Sequence, residues 1–241
     1  MIHHFLSEPD AERALKVLRK LALHDISQWA IAGGWAIEIH CVHNRQPSAI
    51  RRLSDIDFVA SEFDSVPITM AEAFLFRHVH PMDPPGKMML QFVDADSALR
   101  VDVFRTWKSA MARTGIIELP IVGRMRLAAV EDVIARAARL LLDLDVYIPV
   151  PQKHARDYIR ISEAIGTQDV NAAWQDHRKP DHPRTFSEAD ALVRKLIATR
   201  HEYLVRPHYS TTAGAACSRC VPDAPFTLAD PAQVFSVLGY C

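Results

Sequence analysis

The sequence predicts an α+β protein whose first half combines strands with helices and whose second half is helical. Two stretches with a period of two, DIDFVA at 55–60 and LRVDVF at 99–104, are typical of strands with one apolar face. From Val130 onward, the apolar residues recur at helical spacing instead. The change of pattern predicts three parts: an α/β domain at 1–128, a helical domain at 129–205 and a tail at 206–241.

The composition is that of a folded protein. The 241 residues carry 28 Lys and Arg against 29 Asp and Glu, so the formal net charge is -1, which argues against a strongly basic nucleic-acid scaffold. No apolar run approaches the roughly 18 to 20 residues that cross a bilayer, and the first residues do not form a signal peptide. Four cysteines are too few for a disulfide framework. We therefore expect a soluble cytoplasmic protein whose cysteines are reduced or bind a metal.

The first half is predicted to open with a helix over 9–24 and a short apolar strand over 29–32. This strand ends at Gly33 and Gly34, after which a second helix begins, and DIDFVA forms the next strand. The remaining predicted elements of this half are a short helix at 67–73, a strand at 74–80, a hairpin of strands 87–93 and 99–104, and one strand within 116–127.

The second half is predicted to contain four helices, followed by a short one near the C-terminus. Asp230 is suited to cap that last helix, with Pro231 in its first turn and Gly239 at its end. The four longer helices are predicted over 130–144, 151–165, 169–177 and 187–205.

Two carboxylates share one face of the predicted strand DIDFVA. Asp55 and Asp57 are two residues apart, so their side chains point to the same side, where they repel each other unless a cation lies between them. Asp102 lies on the polar face of its own strand, and all three carboxylates converge if the two strands are neighbours. Mg²⁺ prefers such oxygen ligands, and two metal ions held in this way suit in-line displacement at phosphorus.

Each of these signals has an ordinary alternative. A D-x-D pair is commonly just the solvated face of a strand, and Gly33-Gly34 is by itself only a flexible turn. Glycines between a strand and a helix also let the backbone approach a ligand, with the next N–H groups free to hold phosphate oxygens. The ordered set of strand, Gly-Gly, helix, D-x-D strand and single-Asp strand is much more specific than its parts.

The ordered set AGGWAIEIH, SDIDFV and RVDVF resembles the nucleotidyltransferase superfamily with the DNA polymerase β-like fold. More narrowly, it resembles the branch that holds aminoglycoside and lincosamide adenylyltransferases and the toxin-type nucleotidyltransferases of abortive-infection systems. The resemblance covers roughly residues 25–160 and leaves the C-terminal part uncovered. It implies a mixed-sheet domain flanked by helices, followed by a helical region that forms the other wall of the cleft.

The resemblance also implies a role for each motif residue of the first half. Gly33 and Gly34 would cradle the triphosphate of the substrate. Asp55 and Asp57 would hold Mg²⁺ ions, and Asp102 would be the third carboxylate, which holds one metal ion and is the candidate general base.

In the helical half, Lys153 would contact the nucleotide phosphates, with Asp157 one turn later on the same helix. An ammonium group compensates the charge of a triphosphate. Spacing alone leaves open the alternative that the two residues form an i,i+4 ion pair at the surface.

The stretch between the glycines and the first Asp departs from the pattern. It runs from 35 to 54, and these 20 residues (54 − 34) are more than the family generally keeps. Gly34 also replaces the serine of many members. The stretch contains Arg45, Arg51 and Arg52, which are candidates for binding phosphates or an anionic acceptor, with Arg52 the predicted nucleotide contact; a solvated loop is the equal alternative.

Cys217-Ser-Arg-Cys220 is a C-x-x-C motif in the tail, and Cys241 ends the sequence. These three thiols are candidate ligands of a structural zinc ion, which needs four ligands, and His208, His201 or Cys41 are candidates for the fourth. A second C-x-x-C is absent from the sequence, so unbound thiols and a redox pair stay open as alternatives.

The predicted activity is Mg²⁺-dependent transfer of a nucleoside monophosphate group from a nucleoside triphosphate, ATP first, to a hydroxyl acceptor. The acceptor is a small molecule such as an antibiotic, an RNA end or a protein side chain, and the net charge does not favour a large nucleic-acid footprint. No membrane partner is expected. The alternatives are a nucleotide-binding regulatory or toxin-type module of the same fold with little transfer, and an interaction protein stabilised by zinc in its tail.

Overall fold

The structure, a computed structural model, describes residues 1–48, 50–63, 66–82, 86–119, 121–147, 152–200 and 228–240. These residues divide into two compact units. The first contains residues 1–42, the described part of 48–128, and 228–240, and the second contains 43–47 and the described part of 129–200. The predicted domains at 1–128, 129–205 and 206–241 stay a prediction.

A seven-stranded mixed sheet forms the centre of the first unit, with the strand order β3-β4-β5-β2-β1-β7-β6 among the described residues. The pairs β1/β7 and β2/β5 are parallel, and the other neighbours are antiparallel. The predicted α+β class with a mixed sheet is confirmed. The strands are β1 Trp29–Ile31, β2 Asp55–Ala60, β3 Leu75–Met82, β4 Gly86–Val93, β5 Arg100–Arg105, β6 Gly115–Leu119 and β7 Gly123–Leu127.

The central strands of this sheet contribute to a buried aromatic core. Trp29 on β1 is 1% exposed, and its ring lies 5.7 Å from that of Phe58 and 6.1 Å from that of Phe92, measured between centroids. The Phe92 ring contacts Phe74 at 5.0 Å in an edge-to-face arrangement. This aromatic core fixes β2 next to its neighbours, and β2 carries two of the predicted carboxylates.

Five helices belong mainly to the first unit, among the described residues. Ser7 caps the first of them by accepting a hydrogen bond from the Asp10 N–H, and its apolar face is buried. Asp230 caps the last one in the same way, and Gly239 ends it in the left-handed conformation at φ 94, as the sequence predicts. The helices are α1 Glu8–Leu21, α2 Gly33–His43, α3 Met70–Ala73, α4 Lys108–Arg113 and α9 Pro231–Leu238.

The second unit is helical, and polar pairs are buried inside it. The side chains of His177 and Asp132 meet at 2.9 Å and are 7% and 6% exposed. Tyr158 is fully buried and donates a hydrogen bond of 2.5 Å to Asp190. Burial is the larger cause of the raised pKa of the Tyr158 phenol, and this hydrogen bond is the second. Its helices are α5 Val130–Tyr147, α6 Gln152–Ile165, α7 Asn171–His177 and α8 Phe186–Thr199.

Besides shifts of a few residues at the ends of α1, α3 and α7, the elements differ from the sequence predictions in three places. The single strand expected within 116–127 is an antiparallel pair, β6 and β7, because Gly123 at φ 94 permits a turn there. Helix α4 was not predicted. Helix α8 ends at Thr199 rather than 205. Among the described helices, none has the length and apolar character that a membrane span requires.

Candidate active site

The three predicted carboxylates lie together where β2 runs beside β5. The two strands are parallel and in register, so Asp57 lies opposite Asp102 and Asp55 lies opposite Arg100. One oxygen from each of Asp55, Asp57 and Asp102 lies within 4.8 Å of the others. Asp102 is only 4% exposed, whereas the other two are half-buried. The structure therefore brings together the three residues that the sequence predicted to converge.

Gly33 is shaped by its contact with Asp57. It is the first residue of α2 and has φ +57, and a Cβ at this position would lie 1.9 Å from the Asp57 Oδ2 atom. The neighbouring Ala32 N–H donates to the Asp57 backbone carbonyl at 2.9 Å. Only glycine can combine this backbone conformation with so close an approach. The glycine turn and the second carboxylate are thus parts of one site.

Gly34 leaves room for an arginine. A Cβ on Gly34 would lie 2.8 Å from the Arg51 Nη1 atom. The Arg51 Nε donates to Glu38 Oε1 at 2.6 Å, and the Glu38 side chain has no exposed surface. The sequence favoured Arg52 as the nucleotide contact, but it is Arg51 that lies against the glycine turn, while Arg52 is exposed.

Asp102 has an unusual set of contacts for a buried carboxylate. Its Oδ2 accepts hydrogen bonds from Arg100 Nε at 3.1 Å and from Gln91 Nε2 at 3.4 Å. The buried Oδ1 atom accepts none from the part of the chain that the structure describes. Burial raises the pKa of Asp102 to about 7, the charges of Asp57 and Asp55 act in the same direction, and Arg100 and Gln91 oppose the shift.

Arg100 connects two of the three carboxylates. Its Nη2 donates to Asp55 Oδ2 and its Nε lies 3.0 Å from Asp102 Oδ1, with 11% of the side chain exposed. It was not among the residues predicted from sequence. The signal was available, because Arg100 is two residues before Asp102 on the same strand and so shares its face.

The donor set fits a hard divalent cation. Such ions take carboxylate oxygens, and three carboxylates this close are costly without positive charge between them. Asp102 Oδ1 lies 3.0 Å from the Arg100 Nε but is a buried acceptor that receives no hydrogen bond from the described residues. Gly33 is a second indication of a metal site, because its lack of a Cβ lets the Asp57 carboxylate take its place in the cluster. Asp55, Asp57 and Asp102 are therefore suited to hold Mg²⁺.

The raised pKa of Asp102 predicts how stability varies with pH in the metal-free protein. An acid whose pKa rises on folding binds its proton more tightly in the folded chain, so the folded state loses stability as pH rises. This loss begins near the unfolded value of 3.8 and is complete above about pH 7. We expect Asp102→Asn to remove it and to increase the free energy of unfolding at pH 8 by about 2 kcal/mol or more. Urea unfolding with a chelator at pH 5 and pH 8 measures the difference.

Asp94 offers the matched control, because it is a buried carboxylate whose pKa is shifted downward rather than upward. Burial alone would raise its pKa, but hydrogen bonds from Lys20 at 2.5 Å and from Ser97 outweigh it and lower the pKa. Its contribution to stability is present above the unfolded pKa and is lost in acid. Asp94→Asn should therefore destabilise the chain at pH 8. A stabilised Asp94→Asn, or an Asp102→Asn with the pH slope of the wild type, would contradict these two assignments.

Other predicted site residues lie elsewhere in the structure or outside its described part. Lys153 is exposed and Asp157 half-buried on α6, in the helical unit, and their role in nucleotide binding stays a prediction. Cys41 is buried in α2. The remaining candidate zinc ligands, Cys217, Cys220, Cys241, His201 and His208, lie outside the described residues.

Together, the fold and the site define an α+β chain with a carboxylate cluster beside a glycine turn. No family model and no curated protein matches the sequence. Among solved structures, the chain is similar to the antibiotic-resistance factor ANT(2'')-Ia, with 16% identity, 80% of this chain and 97% of that chain covered, and a TM-score of 0.44. It is also similar to an antigenic nucleotidyltransferase-like protein from Paracoccidioides brasiliensis, with 15% identity, 81% and 94% covered, and a TM-score of 0.45.

Proposed function

We propose that this chain is a metal-dependent nucleotidyltransferase, which moves a nucleoside monophosphate group from a nucleoside triphosphate to an acceptor hydroxyl. The observation that carries the proposal is the convergence of Asp55, Asp57 and Asp102 within 4.8 Å, with Gly33 packed against one of them. Clustered carboxylates with a glycine turn at a helix start suit a substrate that combines phosphates with divalent metal.

In the proposed reaction, the acceptor oxygen forms a bond to the α-phosphorus, the bond to the bridging oxygen of the β-phosphate breaks, and pyrophosphate leaves. Divalent cations, when bound, supply positive charge that stabilises the phosphate oxygens. Asp55 and Asp57 would hold them, and Asp102 would contribute the third carboxylate and is the candidate acceptor of the hydroxyl proton. The first N–H groups of α2, which lack partners within the helix, would hold oxygens of the triphosphate. The protein thus contributes mainly positioning and charge compensation.

The test is a transfer assay with α-phosphate-labelled ATP, GTP, CTP and UTP, each with Mg²⁺ and with three classes of acceptor: aminoglycosides, RNA and proteins. We expect labelled product from one class, and a loss of at least about a hundredfold in the double variant Asp55→Asn, Asp57→Asn, because the metal ligands lose their charge. Asp96→Asn is the control, since Asp96 is a carboxylate of the same unit that is 56% exposed. A double variant that binds magnesium–ATP as the wild type does would show the metal assignment to be wrong.

A second candidate function is a nucleotide-binding module of the same fold with little transfer activity. Arg100 favours it, because the guanidinium lies against both Asp55 and Asp102, where a metal ion would compete with it. Calorimetric binding of nucleotide in the presence of a chelator, without labelled product from any acceptor class, would support this candidate over the transferase.

A further inference from the structure

Arg100 lies on β5 directly opposite Asp55 on β2, beside the carboxylate cluster. Its Nη2 donates to Asp55 Oδ2, and its Nε donates to Asp102 Oδ2 at 3.1 Å and lies 3.0 Å from Oδ1. Only 11% of the arginine side chain is exposed. One guanidinium therefore makes charge-assisted hydrogen bonds to carboxylates on two neighbouring strands.

These contacts engage the oxygens that a metal ion needs. Asp55 Oδ1 accepts from Ser54 Oγ at 2.9 Å, and Asp55 Oδ2 accepts from Arg100, so both oxygens of this carboxylate already have donors. At Asp102 the Arg100 Nε donates a hydrogen bond to Oδ2 and also lies close to Oδ1. A divalent cation that bridged Asp55 and Asp102 would also lie a few ångströms from the positive guanidinium, in a half-buried setting where like charges repel strongly.

We propose that Arg100 is a resident cation of the carboxylate cluster, which a divalent metal must displace in order to bind. The inference rests on the proposed function, since it assigns the metal to the same three carboxylates. It makes Arg100 a positioning residue with two consequences. In the metal-free chain it holds the carboxylates together and offsets their repulsion, and in competition with metal it weakens binding of the ion alone.

The test is binding of Mn²⁺ alone, with no nucleotide, measured by calorimetry or by electron paramagnetic resonance of the unbound ion. Arg100→Gln removes the charge and the fork of donors. We expect the Kd for Mn²⁺ to fall by about tenfold or more, because charge-assisted hydrogen bonds no longer have to be broken. The metal-free variant should also melt at a lower temperature than the wild type, and saturating Mn²⁺ should raise its Tm by more than it raises that of the wild type.

Arg105→Gln is the matched control for the change in net charge. Arg105 lies at the end of the same strand but at odd spacing from Arg100, so it points to the other face, and its guanidinium pairs with Glu62 at 3.8 Å. If the loss of any nearby positive charge were enough, this variant would bind Mn²⁺ as tightly as Arg100→Gln. We expect its Kd to stay at the wild-type value.

Arg100→Lys keeps the inference testable if the glutamine variant fails to fold. Lysine keeps the charge but presents a point ammonium, which cannot reach two carboxylates as a planar fork does. It should fold and bind Mn²⁺ more tightly than the wild type. An unchanged or raised Kd in the folded Arg100 variants would overturn the inference and leave the proposed function standing, whereas no Mn²⁺ binding by the wild type or any variant would overturn both.

Discussion

Replacing Gly33 with alanine is expected to abolish divalent-metal binding and any nucleotidyl transfer. The new Cβ would lie 1.9 Å from Asp57 Oδ2 and 2.8 Å from Asp57 Cβ, so the carboxylate has to leave its place. The residue would also keep a φ of +57, a conformation that costs an alanine about 1 kcal/mol. We expect the Kd for Mn²⁺ and the transfer rate each to worsen by at least about a hundredfold.

Gly123→Ala separates the effect of a steric clash with a neighbouring side chain from the effect of backbone strain. Gly123 also has a positive φ, +94, but nothing lies within 4 Å of the Cβ that an alanine would add. This variant should lose some stability and keep its affinity for Mn²⁺, as measured by the same titration. If Gly33→Ala binds Mn²⁺ like Gly123→Ala does, the glycine turn and Asp57 do not form one site.

Replacing Arg51 with alanine is expected to destabilise the chain by about 3 kcal/mol. The Glu38 carboxylate is fully buried and accepts from Arg51 Nε at 2.6 Å, so removal of the arginine takes away a partner of a charge that water cannot reach. Urea denaturation measures the free energy of unfolding, with circular dichroism to follow the helices. Glu38→Gln in the Arg51→Ala background should recover part of the loss, because the amide carries no charge to leave unpaired.

Arg52→Ala is the control that the chain itself provides, one residue away and exposed. A surface substitution of this kind should change the free energy of unfolding by about 0.5 kcal/mol or less. The same two variants also test the nucleotide contact predicted from sequence. If Arg52 binds phosphates, its removal weakens magnesium–nucleotide binding without a loss of stability. Equal destabilisation by both variants would contradict a structural role that belongs to Arg51 alone.

The lone acid of α2 shows how far sequence patterns reach. Glu38 stands in the apolar run WAIEIHCV, one helical turn after Gly34, and a single carboxylate in such a run needs a partner. The pattern indicates that a partner exists, but nothing local names it. Arg45, Arg51 and Arg52 all follow in the loop. The choice of Arg51 depends on how that loop returns to the helix, with the Arg51 N–H bonded to the Phe5 carbonyl at 2.7 Å.

The hairpin of β6 and β7 shows the opposite case, in which local patterns were misread. A single strand was expected within 116–127, but GIIEL and GRMRL form two strands. The pair forms because β7 adds to β1 in parallel, which gives β6 a partner at the edge of the sheet. Sheet neighbours, rather than the pattern of either segment, decided the number of strands there.

By itself, the sequence determined the α+β class, the period of the strands that carry the carboxylates and the position of the glycines, because these follow from side-chain spacing along a few consecutive residues. Only the tertiary structure decided that Asp102 lies opposite Asp57, that Gly33 abuts the same carboxylate and that Arg100 spans Asp55 and Asp102. These contacts join residues far apart in the chain. Which strands pair, and in which register, is set by the packing of the whole sheet and not by any local stretch.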